Sequence, residues 1–403
     1  YTSLGFMSGT SGDGIDVSII KSDGYDYISK VINRYYPYKS ISTNIKDELN
    51  ALKKIIINSD DLTKYQKRIN YLEEQITFAH NFAYQNIIKD LDFFRINQEI
   101  LHSQKDIIES DNIEELKNID INLIGFHGQT IFHNAGEKIS VQLGDGNLLS
   151  KLTKKNIVYN FRESDIKNGG EGAPLTPIFH QLILKQKKIN VPSCVLNIGG
   201  ISNVTVVGNY YPYDFTSRDI GPGNCLIDAW VRKNSNKKFD EDGKLASIGK
   251  TNEIILEQAQ ELYSNRSNKK TLSLDVNDFD ISFARGLSLE DGSATLTDFT
   301  GRIIGAALSS LLSNVKEKLF RVLICGGGRK NKSLLNKIKQ RSIKEIILQP
   351  IDDYGVDGDF VESQAFAFLA IRNIINEPIS FPDTTGCSSP SSGADSYTHL
   401  TLP

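Results

Sequence analysis

Cysteine is scarce in this sequence. The 403 residues include four, Cys194, Cys225, Cys325 and Cys387, and no two of them form a Cys-x-x-Cys pair. That spacing excludes a zinc ribbon and a disulfide framework. Three of the four lie in or beside apolar runs and read as small buried hydrophobes. An excess of either charge is missing too. Against 49 Asp and Glu stand 46 Lys and Arg, a formal net charge of −3, which argues against a nucleic-acid footprint. No apolar run approaches the roughly 18 residues that would span a bilayer, and no signal peptide opens the chain. These absences predict a cytoplasmic protein with neither nucleic acid nor membrane as partner. The opening Tyr1, where a Met would stand, suggests a trimmed start. Two familiar nucleotide motifs are also absent. No Gly-Lys-Ser/Thr follows a glycine loop, which excludes a Walker A site, and no Gly-x-Gly-x-x-Gly opens a helix. His127, His133 and His180 are not at metal spacing and have no evident Ser or Cys nucleophile beside them, so none is assigned a catalytic role.

What is present begins at the first turn. A short apolar strand, Leu4 to Met7, runs into Ser8-Gly9-Thr10-Ser11-Gly12-Asp13-Gly14 and leaves through Ile15-Asp16-Val17. Glycines let backbone approach a ligand, and successive free N–H groups make a concave anion site. Ser8, Thr10 and Ser11 add hydroxyl donors. Asp13 and Asp16 stand where a phosphate-bound cation could be held, with Asp13 the candidate for Mg²⁺. The segment reads as a polyphosphate cradle, although a plain hairpin turn would carry the same glycines. At Pro192 the pattern restarts: strand 193–198, the turn Gly199-Gly200, and a returning strand 203–207. Asn197, Gly199, Gly200, Ser202 and Asn203 make a second phosphate-type hairpin. A third element, Gly326-Gly327-Gly328, follows the apolar strand 321–325 and offers flat backbone for adenine and ribose.

The segment Arg218-Asp219-Ile220-Gly221-Pro222-Gly223-Asn224 reads as a rigid turn, with Asn224 as N-cap of the following helix. Asp219 would then sit at a loop–helix junction, placed to take a proton from a nucleophile. Its alternative role is to bond turn amides. Arg162 and the loop 169–175, together with His127-Gly128-Gln129-Thr130, resemble a substrate wall. Arg162 could bind a carboxylate at two points; a surface ion pair is the plainer reading. Helical spacing covers 45–57, 65–91, 224–233, 253–263, 299–318 and 361–375. The expected organisation is an N-terminal lobe over 1–190, with 363–383 packing back on it, and a C-terminal lobe over 191–362. The Ser/Thr/Gly/Pro-rich residues 384–403 are expected to form a disordered or artefactual tail.

Taken together, these segments resemble the anhydro-N-acetylmuramic acid kinase family, of the sugar kinase, Hsp70 and actin superfamily. The resemblance is carried by Gly5 to Asp16, Gly125-Phe126-His127-Gly128-Gln129-Thr130, Gln142 to Gly146, Phe161-Arg162 and Gly172-Ala173-Pro174-Leu175. It continues through Leu196 to Asn203, Asp219 to Trp230, Cys325 to Gly328, and Glu362 with Ala365-Phe366-Ala367. It implies an α/β fold of two ribonuclease-H-like (actin-like ATPase) lobes with the ATP cleft between them. It also implies ATP and Mg²⁺, and an anhydro-amino-sugar substrate phosphorylated on O6 as its 1,6-anhydro bridge opens. By the same resemblance Asp219 is the general base, Thr130, Arg162 and Glu362 contact the sugar, and the protein is a homodimer. Asn160, Glu171 and Arg218 depart from the family's usual Asp, Gln and Phe. Two alternatives stay open: a kinase for another sugar, and a nucleotide-gated sensor without turnover.

Overall fold

The computed structural model describes residues 1–9, 11–42, 44–96, 119–210, 213–266, 274, 276, 279–313, 319–343 and 345–397. Thr10, the last residues of the helix expected over 299–318, and the chain end after Tyr397 lie outside them. The strands are β1 Thr2–Ser8, β2 Gly14–Ser22, β3 Ile28–Pro37, β4 Leu123–Asn134, β5 Ile139–Leu143 and β6 Asn156–Tyr159, followed by β7 Ser193–Ile198, β8 Ile201–Val207, β9 Phe215–Pro222, β10 Leu319–Cys325, β11 Glu345–Pro350 and β12 Asp395–Tyr397. The helices used below are α1 Ile45–Ile55, α2 Gln66–Ile96, α3 Glu163–Lys167, α4 Cys225–Asn234, α5 Leu289–Leu311, α6 Lys332–Arg341 and α7 Val361–Ile374.

The chain divides into two compact units, Tyr1–Lys188 with Glu362–Pro403, and Ile189–Val361. The first unit holds the sheet β12-β6-β4-β1-β2-β3, with β5 paired to β4; the second holds β11-β10-β7-β8-β9. The common core is the same in both. Three consecutive antiparallel strands form a meander, and two parallel strands extend the sheet from the meander's first strand. This is the ribonuclease-H-like order, and the restart of the sequence at Pro192 is its outward sign. Each sheet has its own apolar core. Leu4, Phe6, Val17, Ile124 and Ile157 lie in the first, packed with Leu72, Ile76 and Ile87 of α2. Leu196, Val204, Val322 and Ile324 lie in the second, packed with Leu296, Phe299 and Ile304 of α5. Below that core, Asp298 of α5 is fully buried and accepts from Lys337 and Arg341 of α6 at 2.5–3.1 Å.

Two glycines bring α7 onto the first sheet. A Cβ at Gly5 would lie 1.9 Å from the Ser363 carbonyl oxygen, and one at Gly125 would lie 2.2 Å from that of Phe366. Only glycine lets helix and strand backbones come that close. Glu362, expected at the end of the second lobe, therefore opens a helix that packs on the first sheet. Residues 384–397 correct the expectation of a disordered tail. Thr384, Thr385 and Cys387 are buried, and β12 pairs antiparallel with β6. The segment holds by hydrogen bonds and small buried side chains, which composition and periodicity do not register.

Candidate active site

The β1–β2 turn is braced from below. The Gly12 N–H donates to the Gly9 carbonyl at 3.0 Å, and Gly12 has φ +62°. Gln129 of β4 donates through Nε2 to that same Gly9 oxygen at 3.0 Å. A Cβ at Gly9 would meet nothing within 4 Å among the described residues, so this glycine leaves open space over the turn, where Ser11 is exposed. Ser8 departs from its expected role. It is buried, accepts from the Tyr38 hydroxyl at 3.1 Å and lies 3.2 Å from His80 Nε2. The Ile76 carbonyl, 2.8 Å from His80 Nδ1, can only accept, so Nδ1 carries the proton and Nε2 accepts from Ser8. Burial holds His80 neutral, its pKa lowered to about 4. Asp13 pairs with Lys46 of α1, and Asp16 lies on β2 opposite Met7 and Tyr35.

The expected sugar residues share this unit. Thr130 on β4 lies opposite Gln142 of β5, whose Nε2 donates to Thr130 Oγ1 at 3.3 Å. Arg162, just before α3, is already tied down: Nη1 donates to the Gly172 carbonyl at 2.6 Å, while Nη2 and Nε reach His127 Nε2 at 2.8 and 3.3 Å. His127 Nδ1 bonds the Gly128 carbonyl at 2.9 Å, so its Nε2 is an acceptor. Burial first, and Arg162 second, hold this imidazole neutral, its pKa well below 6.5. Burial raises the Glu362 carboxyl above its ordinary range, and Arg162 works in the opposite direction. The sequence places His127 in a substrate wall without a catalytic role; the structure makes it the acceptor that orients Arg162. Asn160 has φ +54°, a left-handed position that Asn and Asp both tolerate, and its Nδ2 donates to Asp395 at 2.9 Å.

In the second unit the β7–β8 turn rests on the start of α4. The N–H groups of Gly223 and Cys225 donate to the Gly200 carbonyl at 2.8 and 3.2 Å, and that of Asn224 to the Gly199 carbonyl at 2.8 Å. The Asn224 side chain makes no N-cap bond; it donates instead to the Ile198 and Gly199 carbonyls at 3.3 and 3.1 Å. Ser202 is buried and donates to the Pro222 carbonyl at 3.2 Å, so it fastens the hairpin. Gly326 and Gly328 have packing reasons of their own. A Cβ at Gly326 would lie 2.3 Å from Asn197 Oδ1, and one at Gly328 would lie 2.2 Å from Ile198 Cγ2, whereas one at Gly327 would meet nothing within 4 Å among the described residues. Arg329 clamps this turn, donating to the Gly326 carbonyl, Asp352 and Asp359 at 2.5–3.1 Å.

Asp219 is not at a loop–helix junction. It lies within β9, directly opposite Asn203 of β8, which in turn faces Asn197 of β7. The three side chains therefore line one face of the sheet. Asp219 Oδ2 accepts the Leu274 N–H at 2.7 Å. Asn203 Oδ1 is buried and has no hydrogen-bond partner among the described residues. The run Thr216-Ser217-Arg218-Asp219 hides the strand from composition, because its polar side chains and closing Gly-Pro read as loop.

Comparison with known proteins settles the family. The family model described as anhydro-N-acetylmuramic acid kinase matches residues 1–398. The chain belongs to the anhydro-N-acetylmuramic acid kinase family. A relative of that name from Pelagibacter ubique is 49% identical over 98% of this chain and 97% of its own length. Another, from Zymomonas mobilis, is 35% identical over 97% of this chain and 98% of its own. Among solved structures, (R)-2-hydroxyglutaryl-CoA dehydratase component A from Acidaminococcus fermentans covers 93% of this chain and 99% of its own, with a TM-score of 0.40 and 12% identity. In this kinase-family chain, Thr130, Arg162, Glu362 and the turn 9–16 belong to the first unit. Asp219, Asn197 to Asn203 and Gly326 to Gly328 belong to the second. Among the described residues no helix is long and apolar enough to cross a membrane.

Proposed function

We propose that this chain uses ATP to open the 1,6-anhydro bridge of 1,6-anhydro-N-acetylmuramic acid and to phosphorylate O6, releasing N-acetylmuramic acid 6-phosphate and ADP in cell-wall recycling in the cytoplasm. The observation that carries the mechanism is the row Asn197, Asn203, Asp219 across adjacent strands beside the Gly199-Gly200 turn. A general base must present its carboxylate in a fixed plane. Asp219, with one oxygen anchored on the Leu274 amide, meets that requirement. It takes the proton from the water that attacks the anomeric carbon. The bridge C–O bond breaks, its electron pair passes to O6, and O6 attacks the γ-phosphorus as ADP leaves. Asn203 Oδ1, buried without a partner among the described residues, is suited to accept a donor from the bound reactants.

In the first unit, the turn over Gly9 to Gly14 offers backbone amides to phosphate oxygens. Arg162, Glu362 and Thr130 bind the sugar. Mg²⁺ fits as an ion that arrives with the nucleotide. Among the described residues no group of three His, Cys, Asp or Glu stands together to hold one, and Mg²⁺ is ordinarily held by one or two carboxylates with waters and substrate phosphates. Asp13 is the chain's own carboxylate for it, kept in place by Lys46. When bound, Mg²⁺ neutralises charge on the transferring phosphate. Association as a homodimer belongs to the same proposal.

The test is ADP release from ATP, Mg²⁺ and the anhydro sugar, run beside Asp219→Asn. The wild type should release ADP only when sugar is present. The variant should lose about 10²–10⁴ of the rate, the span of general-base catalysis, while still binding nucleotide. A folded, ATP-binding wild type that releases no ADP would refute the proposal.

A further inference from the structure

The end of the chain, which composition dismisses, holds the loop that holds Arg162. Asp165 of α3 is 1% exposed. Its Oδ2 accepts the Gly172 N–H at 2.7 Å, and its Oδ1 accepts the Thr385 hydroxyl at 2.6 Å. Thr385 grips the loop a second time, because its carbonyl accepts the Glu171 N–H at 2.8 Å. The next carbonyl along, that of Gly172, is the acceptor for Arg162 Nη1. The loop has little room to shift. A Cβ at Gly170 would lie 2.2 Å from Asp165 Oδ2, and Gly172 itself has φ +79°. A continuous chain of bonds thus runs from Thr385 through Asp165 and the Gly172 peptide to Arg162, with His127 fixing the guanidinium from its other side.

We infer that Thr385 and Asp165 are positioning residues for sugar recognition: the C-terminal strap sets where Arg162 presents its guanidinium. The inference rests on the reading above that Arg162 contacts the sugar. A buried carboxylate needs its hydrogen bonds made, and a guanidinium pre-set by packing loses less freedom on binding. Neither Thr385 nor Asp165 touches the substrate. Their effect is on affinity for the sugar and passes over the nucleotide, which the β1–β2 turn receives through Gln129 and Gly9.

The experiment is steady-state kinetics on the full chain for Thr385→Val, Thr385→Ser, Asp165→Asn and Arg162→Ala, with KM for the anhydro sugar and for ATP measured separately and Tm recorded for each. Thr385→Val keeps the shape and removes the donor. It should raise KM for the sugar about tenfold, the equivalent of ~1.4 kcal/mol, and leave KM for ATP within about twofold. Thr385→Ser keeps the donor and should restore the wild-type sugar KM, and Asp165→Asn should resemble Thr385→Val. If Arg162→Ala raises the sugar KM while Thr385→Val and Asp165→Asn do not, the inference falls and the sugar assignment stands. If Arg162→Ala itself leaves the sugar KM unchanged, both fall. A proportional loss in sugar and ATP parameters that follows Tm, without rescue by Ser, also overturns the inference, since it marks general destabilisation.

Discussion

At the scale of single residues, the site is built from side chains whose polar atoms are spent on backbone. Gln129 is the clearest case. Its amide gives the Gly9 carbonyl a second donor beside the Gly12 N–H, which braces the β1–β2 turn from β4. Removing that donor leaves the Gly9 carbonyl with the Gly12 N–H alone, a lost hydrogen bond of about 0.5–1.5 kcal/mol, which should appear as looser nucleotide binding. Gln129→Leu is therefore expected to raise KM for ATP by about five- to tenfold, with the sugar KM changed by less than twofold. Equal rises in both would show that Gln129 shapes the unit as a whole and has no special bearing on the turn. This reading was only half legible in sequence. The glycines of the turn and the polar run His127 to Thr130 announce a site, because glycine and clustered polar groups at a strand end have few other uses. Which of those groups face a ligand is not legible. Ser8 and Ser202 look like donors and turn out to be fasteners, and His127 looks like substrate wall and orients Arg162. Each of those roles depends on a partner far away in sequence.

At the scale of elements, the two glycines under α7 decide whether the helix can dock. Gly5 and Gly125 stand side by side on β1 and β4, and α7 carries Glu362, Ser363 and Phe366 over them. Phe366 lies 4.5 Å from the His127 ring and 5.1 Å from Phe161, centroid to centroid, so the helix also roofs the residues that set Arg162. Gly125→Ala pushes a methyl group into a helix carbonyl that cannot swing aside. Overpacking of this kind costs about 1–3 kcal/mol, and the upper end is expected here. Urea unfolding should show a lower midpoint at an unchanged m value, the product of midpoint shift and m matching that free energy, together with a raised sugar KM. A wild-type midpoint would mean that α7 accommodates the methyl and that the close approach is dispensable. Other elements explain what periodicity could and could not show. Strands with apolar alternation or continuous apolar runs, such as β1, β7 and β10, are readable. β3 and β9 are not, because Lys30, Asn33, Arg34, Thr216 and Arg218 interrupt the apolar pattern, Asn33 and Arg34 falling on opposite faces of β3. The last segment, 384–397, buries hydroxyls instead of hydrocarbon, and no hydrophobic period can report that.

At the scale of the whole molecule, the buried imidazoles couple stability to pH. His80, His127 and His180 are buried, and burial lowers their pKa values from 6.5 to about 4, well below 6.5, and about 3 respectively. Burial lowers His133 to about 4 as well, helped by Arg162. A histidine with a depressed folded value is neutral in the native state while the unfolded chain takes up a proton below 6.5. Its contribution is complete above pH 6.5 and is lost as pH falls toward the folded value. Two carboxyls act the other way: burial raises Glu73 and Glu362 above their ordinary 4.5, so just above that value they favour the native state as pH falls. The four lowered imidazoles outnumber the two raised carboxyls, so the unfolded chain binds the more protons below pH 6.5. The unfolding free energy should therefore fall as pH drops from 6.5 toward 5, by up to about 1.4 kcal/mol per pH unit for each imidazole in excess. Denaturant titrations at pH 5.0, 5.5, 6.0 and 7.0 measure it directly. The expected curve is steep below pH 6 and flattens near 7. A flat profile from 5 to 7 would mean that the buried histidines titrate in the native state, which would also undo the neutral His127 on which the orientation of Arg162 depends.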